Sequence, residues 1–252
     1  MEYQEINAHV IDGWCEEGWE WGKPIDHETY LQALQGRWEV LLTPTKFVPH
    51  AWFGELRGKK VLGLASGGGQ QLPIFSALGA ACTLLDYSSA QCRSDREVAQ
   101  REGYSVEICQ GDMTKPFPFE DETFDLIFHP VSNCYVEKVE PVFAECYRVL
   151  KKGGAFLGGY DLGYNYLFDD AQERLAHPLP YNPLQDAVLY EEALKNQEGI
   201  QFSHTLEEQL RGQLKAGFHL TDLYEDTWAE GNLHEFHVPT FMAFCGSGPA
   251  LL

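Results

Sequence analysis

From Lys59 onward the chain alternates short, nearly continuous apolar runs with amphipathic stretches. That rhythm is met by a parallel sheet covered on both faces by helices, because strands buried on both sides lose the in-out alternation of half-exposed ones. "KKVLGLAS" reads as the first strand, "ACTLLD" as the second, "YSVEIC" as the third and "FDLIFHP" as the fourth. "AFLGGYD" follows as the fifth, and "PTFMAFCG" closes the series as the seventh. Between them "QQLPIFSAL" forms a helix stopped by Gly79, and Ser88 and Gln91 have capping-box spacing at the start of a helix that ends at Gly103. A helix beginning near Pro141 places Phe143, Cys146, Tyr147 and Leu150 on one stripe, with Lys151 and Lys152 at its end. Thr205 and Glu208 make a second capping box, Leu206, Leu210 and Leu214 form the expected buried stripe, and Gly217 precedes the sixth strand.

Two regions depart from the rhythm. Residues 1–58 are rich in tryptophan and turn residues, with one helix capped by Asp26, and read as a helical and aromatic cap on a core spanning 59–252. Residues 162–200 carry Tyr, Asn and Pro without a clear periodic element and read as an insertion in that core.

At 252 residues the chain can bury a sizeable core as one domain with additions. The balance of 18 basic to 38 acidic residues, formally −20, repels a phosphate backbone and argues against nucleic acid as a partner. No apolar run has the length of a membrane span, and the acidic, aromatic start resembles no signal or transit peptide, so no membrane partner and a cytoplasmic location are expected. Seven cysteines without a CxxC pair point to reduced thiols, and no metal site is expected.

The chemistry concentrates at "VLGLASGGGQQ", where the first strand turns into its helix. Gly67, Gly68 and Gly69 have no Cβ, so a ligand can approach the backbone closely there. Asp86 ends the second strand, where a carboxylate can accept both hydrogen bonds of a ribose diol.

With "LLDYS", "GDMTKPFPFEDETFDLIF" and "VLKKGGAFLGG" following in order, the chain resembles the class I S-adenosylmethionine-dependent methyltransferases over Lys59 to Asp161 and again over about 201–246. The resemblance implies a Rossmann-like, doubly wound, mainly parallel α/β sheet of seven strands in the order 3-2-1-4-5-7-6, with strand 7 antiparallel and helices on both faces. It also implies S-adenosyl-L-methionine as cofactor and a small molecule as methyl acceptor. Carried onto this sequence, Ala65, Ser66 and Gly67 would line the methionine part of the cofactor, with Gly63 and Gly69 in the same turn. Asp86 would hold the ribose, Tyr87 and Gln91 would flank the adenine, and Asp112 and the Met113 amide would reach its edge. The pattern departs from the family at two places, since relatives usually carry an acid at the Gly63 position and glycine at the Ala65 position. Backbone carbonyls with Gln70, Gln71 or Thr43 would then serve the cofactor's ammonium.

Transfer of a methyl group from a sulfonium needs alignment first and a base only where the nucleophile carries a proton. By the resemblance, "HPVSNCYVE" faces the sulfonium, which makes His129 and Tyr135 the catalytic candidates and places His129 and Asn133 on the cofactor wall, with Cys134 between them. Trp14, Trp19, Trp21, Trp38, Tyr160, Tyr164 and Tyr166 are candidates to close over the site. A cofactor-binding sensor or scaffold without turnover, and a nucleotide-dependent oxidoreductase, share part of the same pattern.

Overall fold

In a computed structural model, which describes residues 2–169 and 171–248, the apolar runs pair into one seven-stranded sheet. Helix α1 (Tyr3–Glu16) and helix α2 (His27–Leu34) precede strand β1 (Lys60–Leu64). Helix α3 (Leu72–Ala77), β2 (Ala81–Asp86), α4 (Ser89–Glu102), β3 (Val106–Gln110) and β4 (Phe124–His129) follow in alternation. Then come α5 (Glu140–Val149), β5 (Leu150–Asp161), α6 (Ala187–Asn196), α7 (Leu206–Ala216), β6 (His219–Asp226), α8 (Asn232–Glu235) and β7 (Phe241–Ser247). The strand order is β3-β2-β1-β4-β5-β7-β6, parallel throughout except that β7 runs antiparallel to both neighbours, as the resemblance implied.

Successive residues of β1 point to opposite faces and both faces are dry. Val61 joins a cluster with Phe75, Leu84, Phe128 and Trp52, on the side covered by α2 and α3. Leu62 joins Ile127, Phe143, Val149 and Phe244, on the side of α5. Burying apolar surface on two faces contributes about 25 cal/mol per Å², and this is why the central strands carry no exposed alternation.

The N-terminal segment is bolted to the core by polar contacts. Asp12 of α1 accepts from Ser88 Oγ (2.6 Å), Ser89 Oγ (2.7 Å) and the Ala90 amide (3.0 Å), so a carboxylate from one helix occupies the amide end of another. Burial alone would raise that carboxyl, but the bonds from Ser88, Ala90 and Ser89 hold it below its ordinary range. Asn7 clamps Ile200, accepting from its amide (2.6 Å) and donating to its carbonyl (2.9 Å).

Four sequence expectations need correction. The helix after Pro141 ends at Val149, and Leu150 already belongs to β5. Lys151 therefore pairs with Asp125 (2.9 Å) rather than with the helix end, and the register of β5 against β4 shifts to absorb the extra residues. Ser88 caps α4 through the Gln91 amide, but no reciprocal bond returns from Gln91. Residues 162–200 do contain a helix, α6, capped by Asp186. It escaped notice because Val188 and Leu194 are exposed and give no apolar stripe.

The fourth correction concerns α7, whose capping box at Thr205 and Glu208 forms as expected. Its buried face is not the leucine stripe. Leu206 and Leu214 are exposed, while Gln209, Gly212 and Gln213 are buried. Gly212 lets α7 approach α5 so closely that a Cβ there would lie 2.8 Å from Phe143 Cδ2. Gly212→Val is expected to cost about 1–3 kcal/mol through overpacking, whereas Leu214→Ala should change stability by no more than about 0.5 kcal/mol. Urea unfolding of the two variants checks the assignment, and the reverse ranking would restore the leucine stripe.

Candidate functional site

The turn after β1 lies where strand order reverses between β1 and β4, the place at which open α/β sheets leave a crevice outside their strand ends. Its amides are taken by buried carboxylates. Gly67 N donates to Asp86 Oδ2 (3.0 Å) and Gly69 N donates to Asp95 Oδ2 (2.9 Å). Asp86 also accepts from Ser88 N (2.9 Å). No side chain fits at Gly67, where a Cβ would stand 2.6 Å from Gln91 Cβ, and Gly68 and Gly69 have positive φ values. Ala65 also has positive φ, at 46°, a conformation that costs an L-residue about 1–2 kcal/mol.

A cavity of about 250 Å³ opens above these strand ends. Ala65, Ser66, Gly67 and Gln70 line it from the turn, and Asp86, Tyr87 and Gln91 from the end of β2 and the start of α4. Asp112 and Met113 line it beyond β3, and Tyr135 beyond β4. Asp112 accepts from the Thr114 amide (2.8 Å) through one oxygen, so its role in the local turn leaves the other oxygen free. Gln70 spends its NH2 on the carbonyls of Glu20 (2.7 Å) and Lys23 (3.0 Å), tying the turn to the N-terminal segment. Gln71 and Thr43 line the cavity as well.

Four of the expected site residues stay outside the lining. Gly63 is packed within β1, where a Cβ would meet Ser66 Oγ at 2.5 Å and Leu72 at 3.0 Å. Gly69 is turned toward Asp95 and Ile25. His129 is fully buried, with Nδ1 2.9 Å from the Leu64 carbonyl and Nε2 2.8 Å from the Asn133 carboxamide. Desolvation pushes its pKa down despite those bonds, so the ring is neutral, its two nitrogens are occupied, and it is no free base. Asn133 continues the chain to Gln209 of α7 at 3.1 Å, which makes it a structural link between β4 and α7.

The aromatic candidates divide in the same way. Trp19, Trp21 and Tyr166 line the cavity. Trp14 packs on Trp19 at 5.2 Å, Trp38 stacks on His50 at 4.0 Å, Tyr160 is fully buried, and Tyr164 is exposed. The sequence reading missed Asn7, Gln201, Trp228, Phe241 and above all Asp161 as lining residues. Asp161 ends β5 as Asp86 ends β2, and the same strand-end rule would have found it.

Burial dominates the electrostatics. Desolvation pushes Asp86 and Asp161 up to about 6 and Asp95 to about 7, against hydrogen bonds that work the other way. It raises the hydroxyls of Tyr135 and Tyr166 well above their ordinary range, so both stay protonated donors. Three polar atoms of lining residues, Ser66 Oγ, Gln71 Oε1 and Gln91 Oε1, are buried without a partner. Buried polar atoms are ordinarily paired, so these three leave acceptors beside the cavity for a polar ligand to satisfy.

Residues 62–158 match the family model described as a methyltransferase domain. The chain is 40% identical over 227 residues to an uncharacterized methyltransferase, YbaJ, of Bacillus subtilis (strain 168), covering 87% of this chain and 89% of the relative. Its fold is similar to that of an S-adenosylmethionine-dependent methyltransferase from Mesorhizobium loti (TM-score 0.61, 19% identity, 78% of this chain and 94% of the other). It is also similar to that of a geranyl diphosphate methyltransferase in complex with S-adenosylmethionine (TM-score 0.55, 16% identity, 78% and 81% covered).

Asp95 offers a test of the buried carboxylates. Its folded pKa lies above the unfolded value, so between about pH 4 and 7 the native state binds more protons and stability falls as pH rises through that window. Asp95→Asn keeps an acceptor for Gly69 N and removes the titration. Melting temperatures measured from pH 5 to 8 should fall less steeply for the variant than for the wild type, and parallel curves would show that Asp95 is charged throughout.

Proposed function

Because the chain belongs to the class I S-adenosylmethionine-dependent methyltransferases and uses S-adenosylmethionine as its cofactor, we propose that it methylates a small molecule by in-line transfer in the cavity above the β1 turn. The observation that carries the placement is the set of three orphaned buried atoms, Ser66 Oγ, Gln71 Oε1 and Gln91 Oε1, at the glycine turn and the start of α4. In this reading the backbone of Ala65 to Gly67 cradles the methionine part, and Gln71 Oε1 with Ser66 Oγ accepts from the ammonium. Asp86 accepts from the ribose, Tyr87 and Gln91 flank the adenine, and Asp112 with the Met113 amide meets its edge. The bound cofactor supplies an electrophilic methyl group on a sulfonium.

Alignment is then the main work of the protein. Tyr135 shapes the wall beyond β4 and keeps a protonated hydroxyl as a donor for a ligand. His129 keeps β4 in register with Leu64 and α7 through its buried bonds, and moves no proton. A formal charge of −20 disfavours nucleic acid as acceptor, and no described helix is long and apolar enough to cross a membrane. The free thiols fit a reducing compartment such as the cytoplasm. Nothing in the comparisons supports a silent cofactor binder or an oxidoreductase.

S-adenosylhomocysteine is expected to raise the melting temperature in proportion to its excess over Kd, while NAD and NADP leave it unchanged. Stabilisation by NAD alone would overturn the reading. Gln71→Leu, which removes the proposed ammonium acceptor but keeps much of the volume, should weaken S-adenosylhomocysteine binding by about 1–3 kcal/mol in calorimetry. Unchanged affinity in the folded variant would move the ammonium elsewhere.

A further inference from the structure

The cavity is wider than the nucleotide half described above. Across β4 from the glycine turn it continues over the end of β5, where Asp161, Tyr135, Tyr166, Trp228 and Phe241 face it. Asp161 pairs in register with Phe241 of β7, and Trp228 packs edge-on against Phe241 at 5.0 Å. Tyr166 is fixed by its hydroxyl, which donates to Gln201 Oε1 (2.8 Å). Asp161 is anchored from below, accepting from Gly163 N (2.6 Å) and Asn165 Nδ2 (3.0 Å). These bonds orient the carboxylate and leave lone pairs for a ligand.

The charge of the lining is one-sided. Among the described residues the charged ones are Asp86, Asp112 and Asp161, and none is Lys, Arg or His. Asp86 and Asp112 stand at the ends of β2 and β3, on the nucleotide side. Asp161 is the carboxylate of the other half, set among four aromatic side chains. An acceptor bearing a carboxylate or phosphate would meet no counter-charge there and would be repelled in a poorly solvated space. A protonated nitrogen would meet both a carboxylate and the negative faces of aromatic rings.

We propose that the methyl acceptor is an amine on an apolar body, and that Asp161 is the catalytic residue that binds the nitrogen and takes its proton. This rests on the methyl-transfer reading above. The amine is recognised as its cation, releases one proton to solvent to free its lone pair, and keeps one N–H directed to Asp161. Its lone pair forms the new nitrogen–carbon bond as the carbon–sulfur bond breaks, and that bond's electron pair stays on sulfur. The surplus proton on nitrogen passes to the Asp161 carboxylate, leaving a neutral methylated amine and a neutral carboxylic acid. Burial pushes Asp161 up to about 6, which makes it a better proton acceptor than an exposed carboxylate. Cys134, Tyr135 and Tyr166, the titratable groups facing Asp161 from the neighbouring segments, are all raised by desolvation and stay neutral at and below pH 7.

The test uses the full chain saturated with S-adenosylhomocysteine and follows tryptophan fluorescence, since Trp19, Trp21 and Trp228 line the cavity. The probes are phenethylamine, phenethyl alcohol and phenylacetate, alike in body and different in head group. The amine should bind about tenfold or more tighter than the alcohol or the acid, a margin typical of one desolvated charge pair. Asp161→Asn should erase the preference while S-adenosylhomocysteine binding, measured by calorimetry, persists. In the wild type, amine affinity should also fall as pH drops below about 6, while alcohol affinity stays flat, a readout that needs no variant. Equal binding of alcohol and amine, preference for the acid, or a preference that survives in Asp161→Asn would each overturn the proposal. Failure of S-adenosylhomocysteine to bind would instead strike the methyl-transfer reading, and the amine preference can be measured without it.

Discussion

The amides of Gly67 and Gly69 are held by two buried carboxylates, and the rest of the site depends on that arrangement. Asp86 at the end of β2 and Asp95 inside α4 fix the turn after β1 at both ends. Asp12 joins α1 to the first turn of α4, next to Asp86. Burial, and to a smaller degree the neighbouring acids, pushes Asp86 and Asp95 toward neutrality. Backbone N–H groups offset part of that burden, as they do at helix ends. A cationic ligand over the turn would offset more of it, so the apoprotein's least comfortable charges lie beside the place where a sulfonium and an ammonium would sit.

Much of this was readable before any coordinates. Strands buried on both faces declare themselves as apolar runs, and Asp26, Ser88 and Thr205 announced helix starts by chemistry that acts within three residues. Asp86 was found because a strand-end acid after a glycine turn has a local spacing. What failed was decided by partners far along the chain. The leucines of α7 look like a core stripe, yet Phe143 selects the Gly212 face because only a glycine there permits close approach. His129 looks like a base, but the Leu64 carbonyl and Asn133 occupy its nitrogens, and neither contact has a local signal beyond the loop itself. Asp161 is legible by the same strand-end rule as Asp86, but no glycine turn stands beside it to mark a ligand's approach.

The N-terminal segment and the residues between β5 and α7 are parts of one wall. Asn7 of α1 holds Ile200 on both sides of its peptide and also reaches the Tyr135 carbonyl at 3.3 Å. Phe202 N donates to the Cys134 carbonyl at 2.7 Å, and His204 bridges the carbonyls of Asn133 and Val136. Three stretches remote in sequence therefore meet at the loop after β4. That loop holds both α1 and the segment carrying Gln201 in place.

A side chain at position 63 conflicts with the packing around β1. A carboxylate at position 63 would have to displace Ser66 Oγ and the Leu72 side chain, which crowd the space its Cβ would enter. The space beside Gly63 is filled by Ser66 Oγ and the Leu72 side chain, next to Gln71, and both Ser66 Oγ and Gln71 Oε1 are buried without a partner. The Ala65 amide donates to the Leu85 carbonyl (2.8 Å), and this bond helps to keep the backbone in a left-handed conformation that alanine resists. A neutral amide acceptor leaves one fewer negative charge beside Asp86 than a carboxylate would. In a pocket already lined by three acids and no base, a further carboxylate would add another buried charge to be neutralised.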